Sequence, residues 1–225
     1  MKTGLLVIII SLLIVAAESS SEVSSSATGD SARVTIEQFY SGTDPIWIYG
    51  ASGRNSFPCK IDIDIQKSGH DTQFLRYSND GTRWRKNTVT AHLSHESDTF
   101  TVVYNDGEIH SEKMLATSTS GRCALFEVLV RTWGTMKNAK EKTIRDRSGR
   151  SSEFDFRVKN SDAHNQEFQD SCLQEVLRQA QQERKLPAEV NIQEFPQMPK
   201  CPQLCQGRKR CPEQLQEALS RSHVI

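Results

Sequence analysis

Polar and apolar residues alternate through much of the chain between residues 59 and 132. In the first stretch, isoleucines at every second position alternate with lysine, aspartate and glutamine. A period of two is typical of β-strands with one buried face. More β-rich runs follow, separated by short turns at residues 79–81, 105–107 and 120–121. Glycine-containing turns between such runs predict sequential antiparallel hairpins.

Flanking segments complete the predicted barrel. We expect residues 34–40 to form a short helix or turn that closes one end, and residues 44–50 to form the first strand. Residues 153–159 resume the alternation as an eighth strand. A long meander must hide its edges, and closure into a barrel does so. We therefore predict a mainly β fold, an eight-stranded antiparallel barrel with room for one small ligand.

A helix and a cysteine-rich tail are predicted after the strands. Apolar residues at spacings of three and four over residues 168–180 predict a helix of about five or six turns outside the barrel. Ser161 or Asp162 is its expected N-terminal cap. We assign residues 33–185 to the barrel with this helix, and residues 186–225 to an irregular tail that ends in a last short helix.

The start of the chain has the pattern of a secretory signal peptide. Lys2 precedes an apolar run that ends in two alanines, and the run is too short to span a membrane comfortably. We expect residues 1–17 to be the signal peptide and residues 18–32 to be a flexible serine-rich leader. The mature protein is then secreted.

Charge and motifs exclude several classes of function. The 28 basic and 28 acidic residues balance, so no overall charge attracts the protein to nucleic acid or to a membrane. No nucleophile-elbow, zinc-protease, Walker or dinucleotide-binding fingerprint occurs, so we expect neither an enzyme nor a cofactor. Residues 137–150 are strongly basic. They form either a patch for an anionic partner such as heparan or a solvated loop.

Six cysteines are expected to form disulfides in a secreted protein. The sequence alone does not choose among their possible pairings. Zinc is the competing interpretation for the three cysteines of the tail, but no nearby histidine completes a set of four ligands. We therefore expect no metal site.

Two aspartates share one face of the predicted second strand. Asp62 and Asp64 alternate with Ile61, Ile63 and Ile65, so we expect them to form an outward polar face. The alternative is that both point into a polar barrel and meet an amine. As a glycosidase pair they would need partners across a cleft.

Taken in order, these features resemble the tick salivary lipocalins, the group that includes the histamine-binding proteins. The resemblance spans about residues 34–211 and implies a lipocalin barrel. It also implies that Cys123 pairs with Cys172 and that Cys59 pairs with a C-terminal cysteine, for which we choose Cys201, so that Cys205 and Cys211 are left to pair with each other. The features that carry the resemblance are Asp-Pro-Ile-Trp at residues 44–47, Cys59, Asp-Gly at residues 106–107, Cys123, the strand at residues 154–159, and Cys172. The expected disulfides are Cys123–Cys172, Cys59–Cys201 and Cys205–Cys211.

The resemblance further implies a set of ligand-binding residues. Family members that bind biogenic amines use carboxylates and aromatic rings, because a buried ammonium needs an opposite charge and a ring face adds cation–π attraction. The matching residues here are Asp44, Trp47, His110 and Asp155. Ala124 departs from the pattern, since an acidic residue stands there in amine binders. This departure favours a lipid ligand.

We expect a monomeric salivary protein that sequesters a small host mediator and so suppresses inflammatory defence. The leading ligand is a biogenic amine, histamine or serotonin. The second is a lipid mediator, a leukotriene or fatty acid, held by a basic residue near the mouth of the barrel. A third possibility is that the barrel is only a scaffold. Its basic loop and residues 208–210 would then bind a host protein or glycosaminoglycan.

Overall fold

The computed structural model covers the predicted barrel, the helix and parts of the tail. The residues that it describes are 33–50, 59–94, 98–131, 152–186, 201–205 and 211–221. The predicted signal peptide and serine-rich leader, the basic segment 137–150 and residues 208–210 lie outside them. In this described part of the chain, no helix is long and apolar enough to cross a membrane.

Eight strands form one closed antiparallel barrel, which confirms the predicted fold class. Each strand pairs with the next, and the last pairs with the first. The strands are β1 (Ile46–Gly50), β2 (Cys59–Ser68), β3 (Asp71–Asn79), β4 (Trp84–Leu93), β5 (Thr99–Tyr104), β6 (Ile109–Thr117), β7 (Cys123–Arg131) and β8 (Ser152–Lys159).

The described residues include three α-helices beside the strands: α1 (Ile36–Phe39), α2 (Gln166–Gln182) and α3 (Glu213–Arg221). The cap of α2 is Asn165, whose side chain accepts a hydrogen bond from the backbone N–H of Phe168 at 3.0 Å. The prediction of Ser161 or Asp162 as the cap was wrong, because both lie in a separate 3₁₀ turn at Asn160–Asp162.

Apolar side chains cover both faces of the barrel wall. The outer cluster joins the wall to α2 and the tail, and the inner cluster joins it to α1. In the inner cluster, the ring of Tyr40 lies 5.6 Å from the rings of both Phe74 and Phe100. These aromatic rings fill the α1 end. The outer cluster includes Trp47, Ile61, Ile63, Leu125, Phe156, Val176 and Leu177. The inner cluster includes Phe39, Tyr40, Ile65, Phe74, Phe100, Ala124 and Phe126.

Strand β2 changes which face it turns inward. Ile61 and Ile63 pack in the outer cluster, so Asp62 between them points into the barrel and is fully buried. The register then shifts between Ile63 and Gln66, and Asp64 has a left-handed φ of 52° in this bulge. The expectation of an outward Asp62 was wrong, because the tail covers the isoleucine face.

Asp64 does face outward, as expected, and contacts α3. Its carboxylate accepts hydrogen bonds from Gln214 at 3.1 Å and from Arg221 at 3.2 Å. The contact holds the C-terminal helix against the bulge of β2.

The six cysteines form the three expected disulfides. Cys123–Cys172 joins β7 to α2, Cys59–Cys201 joins β2 to the tail, and Cys205–Cys211 closes a small loop within the tail. Disulfides form and persist in oxidising compartments, so they indicate an extracellular protein. Each also restricts the unfolded chain, which stabilises the fold by about 2–4 kcal/mol.

We expect Gly121→Ala to destabilise the protein more than Gly69→Ala. Both glycines have left-handed backbones, with φ of 66° and 63°, so each alanine costs about 1–2 kcal/mol in backbone strain. A Cβ at Gly121 would also lie 3.2 Å from Val34, just before α1, whereas nothing lies within 4 Å at Gly69. Urea unfolding measures the two losses. Equal losses of unfolding free energy in the two variants would show that Val34 moves away from the added Cβ at no cost.

Candidate functional site

Charged side chains cross the interior of the barrel in one layer. Asp62, Arg76, Glu112, Asp155 and Arg157 are each at most 2% exposed. The register brings the first pair together, because Asp62 of β2 lies directly opposite Arg76 of β3. We call these five residues the ionic layer. Buried charges are tolerated only when opposite charges and hydrogen bonds compensate them.

Glu112 of β6 holds the two halves of the ionic layer together. Its Oε1 accepts from Arg76 Nη1 at 2.6 Å, and its Oε2 lies 2.7 Å from Arg157 Nη2. Arg76 also donates a fork of hydrogen bonds to Asp62, from Nε at 2.7 Å and from Nη2 at 2.9 Å. Short charge-assisted contacts of this kind are the strongest hydrogen bonds in proteins.

Two tyrosines add hydrogen bonds to the layer. The hydroxyl of Tyr40 accepts from Arg157 Nη1 at 2.5 Å and donates to Asp62 Oδ2 at 3.0 Å. The hydroxyl of Tyr104 accepts from Arg76 Nη1 at 2.7 Å. Tyr40 directly follows α1, so the ionic layer also anchors the helix that closes this end.

Glu112 and the two arginines of the layer keep their charges at neutral pH. Burial by itself raises the pKa of Glu112, but the guanidiniums of Arg157 and Arg76 outweigh it and hold that pKa below its ordinary value. Burial lowers the pKa of each arginine, yet the neighbouring carboxylates raise both above the ordinary value. Burial also raises the pKa of Tyr40 and Tyr104, which therefore stay neutral.

Asp155 is the least tightly paired carboxylate of the layer. Its Oδ2 accepts from Arg157 at 3.3 Å, and its Oδ1 lies 3.8 Å from Nζ of Lys60. The side chain of Lys60 is 15% exposed, whereas that of Asp155 is 2% exposed. Asp155 pairs with Gly50, the last residue of β1, so it lies toward the barrel end farther from α1. We call that end the mouth.

His110 lies on the mouth side of Glu112, on the same strand. Its ring packs against the ring of Tyr104, with centroids 4.7 Å apart. Its Nε2 is 3.1 Å from a carboxylate oxygen of Glu108, close enough for an ion pair but without the geometry of a hydrogen bond. His110 and Asp155 therefore both line the mouth half of the barrel, as the ligand prediction requires.

Trp47 and Asp44 lie away from those two residues. Trp47 is fully buried in the outer cluster, and its indole N–H donates to Asn160 Oδ1 at 2.8 Å. Asp44 precedes β1 at the α1 end and lines a cleft of about 660 Å³ together with Asp64 and Arg221. Burial raises the pKa of Asp44. The four predicted ligand residues thus do not form one site, and a ligand role for Asp44 stays a prediction.

Five charged residues of the ionic layer and its surroundings were not among the predicted ligand residues: Lys60, Asp62, Arg76, Glu112 and Arg157. A signal for them exists in the sequence, since each stands two residues from another polar or aromatic residue that also faces inward. Asp155 and Arg157 share one face of β8 in this way, as do His110 and Glu112 on β6. Without the three-dimensional pairing, the same pattern also fits an exposed strand face.

Two comparisons with known proteins give no relative from which to interpret the ionic layer. No protein-family model matches the chain, and no curated protein matches it.

Among the described residues, no group of three or more histidine, cysteine, aspartate or glutamate side chains is placed to hold a metal ion.

We expect Glu112→Gln to destabilise the protein by about 3–5 kcal/mol at pH 7, because it leaves two buried guanidiniums without their shared carboxylate. Glu108→Gln is the matched control on an exposed side chain and should change stability by less than about 0.5 kcal/mol. Urea unfolding measures both. A loss below about 1 kcal/mol for Glu112→Gln would contradict a central role for Glu112.

The loss of unfolding free energy caused by Glu112→Gln should become smaller as the pH falls into the acid range. The folded-state pKa of Glu112 is lowered, so its ionised form stabilises the fold fully above the unfolded value of 4.5. This contribution is lost progressively as pH falls toward the folded-state pKa. The difference in unfolding free energy between wild type and variant should therefore be constant near neutral pH and shrink in acid. A difference that grows in acid would contradict the charge assignment.

Proposed function

We propose that the protein is a secreted lipocalin that sequesters a small amine-bearing host mediator, of the histamine or serotonin type, in the mouth half of its barrel. The observation that carries the proposal is the loose pairing of Asp155. Function is then by mass action, with no bond made or broken. Abundant protein in saliva would lower the free mediator at a bite and so suppress inflammation.

The charges of the interior single out Asp155 for an incoming ammonium. Asp62 and Glu112 each receive at least two contacts shorter than 3.0 Å from guanidiniums. A ligand would have to break those contacts, and the displaced guanidinium would remain buried. At Asp155 it has only to replace the ammonium of Lys60, which lies 3.8 Å away on a flexible stem.

Other groups near the mouth suit an aromatic amine. The rings of His110 and Tyr104 offer a surface for stacking and for cation–π attraction. Nε of Arg157 is buried and has no hydrogen-bond partner among the described residues. A ligand with both an ammonium and an acceptor nitrogen, such as histamine, can satisfy both Asp155 and this donor.

The ionic layer disfavours the lipid alternative. A fatty acid or leukotriene needs a long apolar cavity, but charged groups cross the barrel and the rings of Tyr40, Phe74 and Phe100 fill the α1 end. Ala124 lies opposite Arg157 in the register, and its methyl group leaves room for the guanidinium. We therefore interpret Ala124 as part of the packing around the layer.

We expect Asp155→Asn to weaken histamine binding by about 30-fold or more, because it removes the charge that compensates a buried ammonium. Asp64→Asn makes the same change on the outer face and should leave the affinity unchanged. Isothermal titration measures the affinity of the wild type and of both variants for histamine, serotonin and a leukotriene, and thermal melts confirm that each protein is folded. The proposal fails if Asp155→Asn binds amines like the wild type, or if only the leukotriene binds.

A further inference from the structure

The position of Lys60 on β2 directs its side chain into the barrel. Its neighbours Cys59 and Ile61 both belong to the outer cluster, and successive side chains of a strand point to opposite faces. Lys60 lies opposite Ile48 of β1 and Ser78 of β3, one step closer to the mouth than Asp62. Its partial exposure shows that the stem runs between the ionic layer and solvent.

Lys60 balances the charge of the ionic layer. The three carboxylates of the layer face only two guanidiniums within it, which leaves one negative charge uncompensated. The ammonium of Lys60 supplies the missing positive charge from 3.8 Å. That distance is too long for a hydrogen bond, so the pair is held by charge alone.

We infer that Lys60 is an internal stand-in for the ligand's ammonium and sets the amine affinity by competing for Asp155. The inference rests on the proposed function, because it concerns the same carboxylate. An amine that binds Asp155 creates a surplus positive charge beside Lys60. The two ammonium groups repel each other in this poorly solvated interior, so Lys60 must turn outward to solvent.

The same competition determines the charge that a ligand can carry. With Lys60 in place the charges of the ionic layer are balanced, and an amine gains only the difference between its own contact with Asp155 and that of Lys60. With Lys60 removed, the ionic layer has one net negative charge that a cationic ligand can compensate. Lys60 is therefore a specificity-determining residue as well as a competitor.

The test compares Lys60→Met with the matched control Lys113→Met, a lysine on the exposed face of β6. Methionine keeps an unbranched apolar stem and removes the charge. We expect Lys60→Met to bind histamine at least tenfold more tightly than the wild type in isothermal titration, and Lys113→Met to bind like the wild type. Lys60→Gln is a second neutral variant in case the methionine variant does not fold.

Thermal melts provide a second readout that does not require a measured affinity. Without ligand, Lys60→Met should melt below the wild type because Asp155 loses one of its two positively charged partners and keeps only Arg157. Saturating histamine should raise its melting temperature more than that of the wild type. If Lys60 served only to stabilise the fold, its replacement would lower the melting temperature without increasing the shift that histamine produces.

The possible outcomes separate this inference from the proposed function. Tighter binding by the neutral Lys60 variants supports both. If the wild type binds histamine through Asp155 and the neutral variants bind equally or more weakly, the competitor role is overturned and the proposed function stands. If neither the wild type nor the neutral variants bind any amine, both are overturned.

Discussion

The contact of one glutamate with two arginines determines how the interior of this barrel is organised. Glu112 receives Arg76 on one oxygen and Arg157 on the other, at 2.6 and 2.7 Å. Because all three groups are almost completely buried, none of them can lose its partner without exposing a bare charge to a poorly solvated interior. The contact joins β3, β6 and β8 directly, and Tyr40 extends the network to the helix at the closed end.

This network explains where a ligand can bind. A barrel of eight strands is just wide enough to be filled by its own side chains or to hold one small ligand. Here aromatic rings occupy the closed end and the ionic layer crosses the middle, which supports our proposal that a guest binds in the mouth half. Asp155 has the longest contacts among the three carboxylates of the ionic layer, which is why we propose it as the residue that binds a guest and Lys60 as the group that the guest displaces.

The strands, the closure of the barrel and the helix α2 could be predicted from alternation, turns and helical spacing. The inward face of each strand could not. In β2, isoleucines alternate with aspartates, and the pattern favours an outward Asp62. The tail covers Ile61 and Ile63 through contacts between residues more than a hundred positions apart, which periodicity does not reveal. Asp155 and His110 lie inside as the resemblance implies, whereas Trp47 lies in the outer cluster because α2 and its connection pack there.

A crystal structure of the protein with bound histamine tests the account most directly. The account predicts a ligand ammonium at about 3 Å from the carboxylate of Asp155, with Nζ of Lys60 moved toward solvent and the contacts of Glu112 unchanged. Histamine bound in the cleft beside Asp44 and Asp64, or bound inside the barrel with Lys60 still against Asp155, would contradict it.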